Sequence, residues 1–438
     1  MAPSECDLPS PARGAPFTGA AEVGKAAVQA AYFVFVALIP LETVNTLKTG
    51  GTGTFTFSKM AGLMLFGLAF LNRKICLRTI PAAFWMVAWY LAAFSLSQLW
   101  IPRDLYGFFY DSQSTMIQMA AVFLISANLF VEADFRRALL RFYGWWMCLV
   151  AVGMMAGVCG GVFAGNGGRI AILGQDPNVS AGFFALGAIC IAGDPWVFAP
   201  KWFLARLPLA LVGVGTLLAA ILETGSRGGL IVFGVGTLGL VLCGGKGSRA
   251  KRLLIAGVVV GVLAGMVARE FRQRTDTATR LTDAWEKGDN AGRTQIYQTA
   301  WQMFLEKPFL GYGAANNFYT LGIRLNYVSD YYGNFHRDTH NLLLAVLTEV
   351  GLIGAAPFIA AILYALIKAW RYGSHADDAL PFALMLGQIA INTSLTGYHQ
   401  KLFWIMFAAA VACGLELDAS RKPRGERPPS LGRGGLAA

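Results

Sequence analysis

Residues 341–367 read NLLLAVLTEVGLIGAAPFIAAILYALI, 27 positions carrying one charge, Glu349. A helix that crosses a bilayer needs ~20 mostly apolar residues, so this stretch is long enough to span. Similar blocks recur along nearly the whole chain. Of its 438 residues, 55% are hydrophobic and 14% charged, where soluble domains carry about 25% charged residues. Mean hydropathy is +0.51. A soluble enzyme, a disulfide-stapled secreted module and a disordered chain are all excluded. The reading is an all-α integral membrane protein.

Outward from that block, about twelve transmembrane helices fall near 26–44, 57–71, 81–100, 113–131, 139–163, 179–198, 203–222, 229–244, 252–268, 341–367, 379–397 and 401–417. Twelve crossings put both termini on one side, and loop charges say which. Alternate loops hold clusters such as Arg73-Lys74, Arg136-Arg137, Arg249-Lys251-Arg252 and Lys368-Arg371. The opposite short loops hold only Lys48, Lys59, Arg103, Arg169, Arg227 and Lys401. Both termini are therefore expected in the cytoplasm, as disordered tails over 1–25 and 418–438, the second basic. The net charge of +11 follows from this topology, and no nucleic-acid partner is expected. Seven cysteines without a C-x-x-C pair give neither a disulfide framework nor metal spacing. Gly257, Gly261 and Gly265 form a small-residue row that reads as a packing face.

Transmembrane helices thus occupy 26–268 and 341–417, and the segment 269–340 between them is a long loop on the side away from the cytoplasm. Connectors need far fewer residues, and long loops with their own structure are usually functional. Within it, 290–306 reads as an amphipathic helix with an apolar stripe of Ile296, Ala300, Met303 and Phe304. Pro308 and Gly311-Tyr312-Gly313 end it.

Three places could carry chemistry. Gly225-Ser226-Arg227-Gly228-Gly229 opens a helix, where free N–H groups, a capping Ser and an Arg fork suit an anion. A tight turn with an interfacial arginine is the plainer reading. Gly292-Arg293-Thr294 opens the loop helix by the same logic, with a solvated charged face as the rival. His336-Arg337-Asp338-Thr339-His340-Asn341 precedes the block at 341–367. Its two histidines lack the Glu and third ligand of a zinc site, so no metal is expected there. His340, at the positive end of a helix dipole, suits a neutral imidazole acting as general base, with Asp338 or Thr339 as the helix cap. Asp176-Pro177-Asn178 reads as a turn and cap, and Arg169 lies nearby on the same side. Glu349 is costly in lipid and must face the bundle interior, orienting an arginine or lining a cavity.

Gly225 to Gly229, Gly292-Arg293 through Pro308-Phe309-Leu310-Gly311-Tyr312-Gly313, and Thr339-His340-Asn341 with Glu349-Val350-Gly351-Leu352-Ile353-Gly354 resemble the O-antigen ligase/polymerase superfamily. The motifs cover roughly 170–355. The resemblance implies a GT-C-like glycosyltransferase of the bacterial inner membrane, acting at the periplasmic face without metal or cofactor. Its donor would be an undecaprenyl-diphosphate-linked glycan and its acceptor, in a ligase, lipid A–core. Arg227 and Arg293 would hold the diphosphate, and His340 would deprotonate the acceptor hydroxyl with inversion. Gly225, Ser226, Asn178, Arg169 and Asn341 are further substrate-binding candidates, with His336 and Arg337 as neighbours. An O-antigen or exopolysaccharide polymerase shares the same donor half. A transporter or lipid flippase is the rival from another class, but it calls for midplane charges and related halves, and no internal repeat is visible.

Overall fold

The computed structural model describes residues 19–42, 45–48, 54–162, 169–197, 199–243, 293–329 and 334–421, with Leu253, Gly257, Gly261, Ala264 and Gly265. Described helices coincide with eleven of the twelve expected spans. These are α1 (Gly19–Leu38), α2 (Phe57–Leu71), α3 (Ala82–Leu96), α4 (Tyr106–Leu129), α5 (Ala133–Met155), α6 (Pro177–Gly193), α7 (Phe203–Glu223) and α8 (Arg227–Cys243). After the long loop's α9 (Arg293–Glu306) and α10 (Asn316–Arg324) come α11 (Leu342–Ala376), α12 (Leu380–Asn392) and α13 (Lys401–Arg421). The expected span at 252–268 lies outside the described residues except for five positions. A Cβ at Gly257, Gly261 or Gly265 would meet nothing within 4 Å, so the expected packing row touches no described residue.

Among the described residues, six helices are long and apolar enough to cross a membrane, and α2, α6, α8 and α12 are shorter apolar helices. Of the short ones, α6 and α12 sit inside the bundle. In α6, 15 of 17 residues are buried, and Leu402 to Cys413 of α13 are buried without a break. Helices that are apolar all round belong in an interior, with amphipathic ones around them. Helix α8 packs between α6 and α12, and its glycines allow this. A Cβ at Gly229 or Gly236 would run into Ala181 or Ile189 of α6.

The two ends of the bundle differ chemically. At one end Arg136 is fully buried where α4, α5, α11, α12 and α13 meet. Its guanidinium donates to the Phe130 carbonyl at 2.6 Å, the Tyr372 hydroxyl at 2.9 Å and Glu416 at 3.1 Å. Arg137 pairs with Asp378 at 3.1 Å, and Arg141 with Asp194 at 2.5 Å. Buried arginines need such partners, because an unpaired charge in the interior is very costly. This is the basic end. The other end, called the site end below, carries the starts of α6, α8, α11 and α13 and three antiparallel hairpins. They are β1–β2 (Asn45–Lys48 with Thr54–Thr56), β3–β4 (Gly160–Val162 with Ile170–Ile172) and β5–β6 (Val328–Ser329 with Asn334–Phe335).

The loop helix α9 caps the bundle as its stripe implies. Ile296, Ala300, Met303 and Phe304 are all buried, and α9 packs on α10 and α11. The loop then threads into α11. Gly351 leaves helical geometry with φ +59° and ψ −168°, so the N–H groups of Leu352 and Ile353 lose their partners four residues back. They donate to the carbonyls of Pro308 at 2.8 Å and Phe309 at 3.2 Å instead. The carbonyls of Thr348 and Glu349 are freed by the same break, and they accept from the N–H groups of Tyr312 at 2.7 Å and Gly313 at 2.9 Å. Four backbone groups that lipid would leave unsatisfied are thus paired by the inserted loop. The Pro308–Gly313 and Glu349–Gly354 motifs form one interlock.

Candidate active site

Five segments of the site end converge. The first is the turn before α6. Asp176 accepts from the Asn178 N–H at 2.7 Å and caps α6, with Pro177 in the first turn, as the turn-and-cap reading expects. The second is the start of α8. Ser226 is buried; its hydroxyl donates to Asn178 Oδ1 at 2.9 Å and accepts from the Gly229 N–H at 3.4 Å. Arg169 donates to the Thr224 carbonyl at 2.7 Å and to Asn178 Oδ1 at 3.4 Å. Arg169, Asn178 and Ser226 are therefore bound to one another. Together they fix the turn at Gly225, whose φ is +61°, from which Arg227 projects as the first residue of α8.

The third segment is the start of α9. Arg293 is its first residue and Tyr297 follows one turn later. The Tyr297 hydroxyl lies 3.3 Å from the His340 carbonyl and 3.0 Å from that of Thr393, so one side chain ties three segments together. The fourth is the approach to α11. His340 has φ +50°, a strained value for a non-glycine residue, and Asp338 supports it by accepting the His340 N–H at 3.0 Å. The same Asp338 oxygen accepts the Thr396 hydroxyl of the fifth segment, the turn between α12 and α13. The cap of α11 is Asn341, which accepts from the Leu344 N–H at 3.1 Å. This corrects the expectation of Asp338 or Thr339. Asp338 instead orients the histidine, and the buried Thr339 donates to the Asn341 carbonyl at 3.0 Å.

The His340 imidazole is disposed towards its neutral form. Burial lowers its pKa below the ordinary histidine value, the charges of Arg337 and Arg293 lower it further, and Asp338 and Asp176 oppose them. These influences also place Arg293 and Asp176 in the surroundings of His340. Its Nδ1 is buried, lies 3.9 Å from Asp338 Oδ2 and makes no hydrogen bond among the described residues. The same holds for Nε2 of Gln175. A buried acceptor and a buried donor left unpaired at one site call for a partner. The two anion-binding candidates share this end. A Cβ at Gly228 would lie 3.3 Å from the Ser394 hydroxyl, so the Arg227 turn abuts the turn that also meets Tyr297 and Asp338.

His336 and Arg337 turn elsewhere. The His336 ring packs against Phe318 at 5.4 Å and Phe108 at 6.5 Å, and burial lowers its pKa. The Arg337 guanidinium covers the Tyr327 ring at 4.3 Å, and the Arg337 backbone N–H donates to the Phe318 carbonyl at 3.0 Å. Both hold α10 and its following hairpin in place. Glu349 neither orients an arginine nor lines a described cavity. It accepts from the Tyr90 hydroxyl at 2.7 Å and the Tyr398 hydroxyl at 3.2 Å, next to the break at Gly351.

Sequence reasoning missed Tyr297, Gln175 and the turn over 393–399. That turn brings in His399, which stacks on Tyr398 at 4.0 Å and is held near pKa about 4 by burial. The signal was present as Asn392-Thr393-Ser394, Thr396 and His399-Gln400 between two apolar blocks, with one of only four histidines in the chain.

No curated protein matches the chain. Residues 212–359 match the family model described as O-antigen ligase. The matched stretch holds Arg227, Arg293, Tyr297 and His340, together with both halves of the interlock; it stops short of the turn at 393–399 and begins after Arg169 and Asn178. The two arginines at helix starts and the His340 imidazole all lie inside the matched stretch, and over residues 212–359 the chain is similar to the O-antigen ligase family, whose members are membrane glycosyltransferase-like enzymes.

Proposed function

We propose that the chain transfers a glycan from undecaprenyl diphosphate to a hydroxyl of lipid A–core, at the periplasmic face of the bacterial inner membrane. The observation that carries this reading is His340, a half-buried imidazole whose buried Nδ1 has no hydrogen-bond partner among the described residues, in the same polar cluster as Arg293. In the reaction His340 takes the proton of the acceptor hydroxyl as its oxygen attacks the anomeric carbon. The bond from that carbon to the diphosphate breaks, and the electron pair leaves with the diphosphate. Arg293 and Arg227 offset the charge that grows there, a role fixed positive groups perform without reorganising. Attack opposite the leaving group inverts the anomeric centre. Asp338 and Tyr297 hold the histidine backbone, and the bound trio of Arg169, Asn178 and Ser226 holds Arg227.

The test is glycan transfer by purified protein in detergent, where transport has no meaning. We expect His340→Ala to lose roughly 10²–10⁴ in rate, the range for a positioned general base. Arg293→Ala should lose roughly 10²–10³, the range for one charge-stabilising donor. Turnover that survives both substitutions would overturn the reading. Lipid A–core offered against a glycan-only acceptor in the same assay separates ligase from polymerase.

A further inference from the structure

The connector from α6 to α7, at the basic end, gathers three cations around two tryptophans. Asp194 fixes it. Its buried carboxylate accepts from the Trp196 N–H at 2.9 Å and from the guanidinium of Arg141, on α5, at 2.5 and 3.0 Å. The Trp196 ring then meets two guanidinium groups, Arg141 at 5.4 Å and Arg206 of α7 at 4.1 Å. Arg206 also donates to the Trp196 carbonyl at 2.9 Å and comes within 6.0 Å of the Trp202 ring. The Lys201 ammonium lies 5.7 Å from that second ring. Asp194 neutralises Arg141. Lys201 and Arg206 pair with no carboxylate among the described residues, and ring faces attract cations without cancelling their charge. Two positive charges therefore remain. Both can be reached from outside, because Lys201 is exposed and Arg206 half-buried.

The surface that descends from these cations is apolar. On α5, Trp145 and the exposed Leu149 follow Arg141 at intervals of four residues, a spacing that keeps them on one helix face. On α7, the exposed Leu209 and Val212 follow Arg206 at intervals of three. The two rows adjoin, since a Cβ at Gly213 of α7 would lie 2.9 Å from the Trp145 ring. Trp202, half exposed just before α7 enters its span, stands where tryptophan marks the boundary between headgroups and acyl chains. An apolar seam headed by two cations held over tryptophan rings matches a lipid with a negative head. An acidic soluble protein would meet the charges but would not follow a seam that runs down two spanning helices. Arg206 is also held in advance by a carbonyl and two ring faces, so little freedom is lost when an anion arrives.

We propose that the seam between α5 and α7 is a binding site for an anionic glycerophospholipid of the leaflet at the basic end. The phosphate meets Lys201 and Arg206, and an acyl chain lies along Leu149, Leu209 and Val212. The site is independent of the glycan-transfer reading, whose residues all lie at the opposite end of the bundle.

The experiment is native mass spectrometry of the delipidated full-length chain, titrated with phosphatidylglycerol and with phosphatidylcholine of the same acyl chains. Two positive charges near a membrane surface predict roughly a thirtyfold preference for phosphatidylglycerol. Lys201→Gln, at an exposed position, should cut that preference to roughly fivefold. Adding Arg206→Gln should abolish it while phosphatidylcholine binds as before. Arg371→Gln removes an exposed charge of α11 at the same end and should leave the preference intact. Glycerol phosphate, a headgroup without chains, should fail to displace phosphatidylglycerol at tenfold excess. Equal binding of the two lipids by the unmodified chain would overturn the proposal. So would a preference untouched by Lys201→Gln, a variant that decides the matter even if the double substitution does not fold. An equal fall in Arg371→Gln would show attraction to the whole basic end rather than to this seam, and displacement by glycerol phosphate would show a site that reads charge alone; either result refutes the assignment.

Discussion

His340 is held by its main chain rather than by its ring. Its N–H is bound by Asp338, its carbonyl by Tyr297, and its Nδ1 has no hydrogen-bond partner among the described residues. Burial and two arginines disfavour the imidazolium, so the pKa lies below the ordinary histidine value of ~6.5. A base with a lowered pKa stays deprotonated across neutral pH and is lost only on acidification below that value. The acid limb of kcat/KM should therefore fall below pH ~6.5. In Asp338→Asn the carboxylate that raises the histidine pKa is gone, and the limb should move to still lower pH. A limb above the ordinary histidine range, or one that moves upward in Asp338→Asn, would contradict this account.

At the scale of the element, α11 is two helices joined at Gly351 and bridged by the segment from Pro308 to Gly313. Its φ of +59° and ψ of −168° fall where residues with a Cβ are almost never found, at a cost of roughly 1–3 kcal/mol. A Cβ there would also strike the Phe309 carbonyl. Gly351→Ala should lower the melting temperature and loosen the loop. Amide hydrogens of Tyr312 and Gly313, protected by the carbonyls of α11, should exchange faster in that variant, as mass spectrometry of exchanged peptides would show. Unchanged protection would mean that the interlock adds nothing to the loop's order. Because α9 leads directly into the same loop, a loosened interlock should also displace Arg293 and Tyr297 relative to His340, so activity should fall with protection.

Across the whole molecule, a buried ion network at the basic end faces a polar cluster at the site end. Arg136 joins four carbonyl, hydroxyl and carboxylate partners from different helices. Removing one member of such a network leaves charges buried without compensation, at a cost of roughly 3–5 kcal/mol. Arg136→Ala should therefore destabilise strongly, read as a large drop in melting temperature in detergent, whereas substitution of the exposed Trp85 should change little. The charge distribution also predicts orientation. An impermeant thiol reagent applied to spheroplasts should label Tyr327→Cys at the site end and should reach Leu77→Cys near the basic end only after permeabilisation. The reverse pattern would place the candidate active site in the cytoplasm.

Much of this architecture could be read from local pattern. Apolar blocks gave the helices, because burying or spanning needs a certain length of apolar chain whatever its neighbours are. The stripe of Ile296, Ala300, Met303 and Phe304 showed which face of α9 is buried, and Asp176-Pro177-Asn178 showed its turn, since caps and stripes are short-range. Local pattern misjudged the α11 cap, placed His336 beside His340 when it packs among Phe318 and Phe108, and left Glu349 without its two tyrosines. It placed Tyr297 beside the stripe without a role at the site, and it was silent on Gln175 and on the turn at 393–399. Those pairings join residues separated by up to 259 positions along the chain. Only the folded packing of helices brings such partners within hydrogen-bond reach, and no composition or spacing in the chain records which distant hydroxyl will meet a given carbonyl.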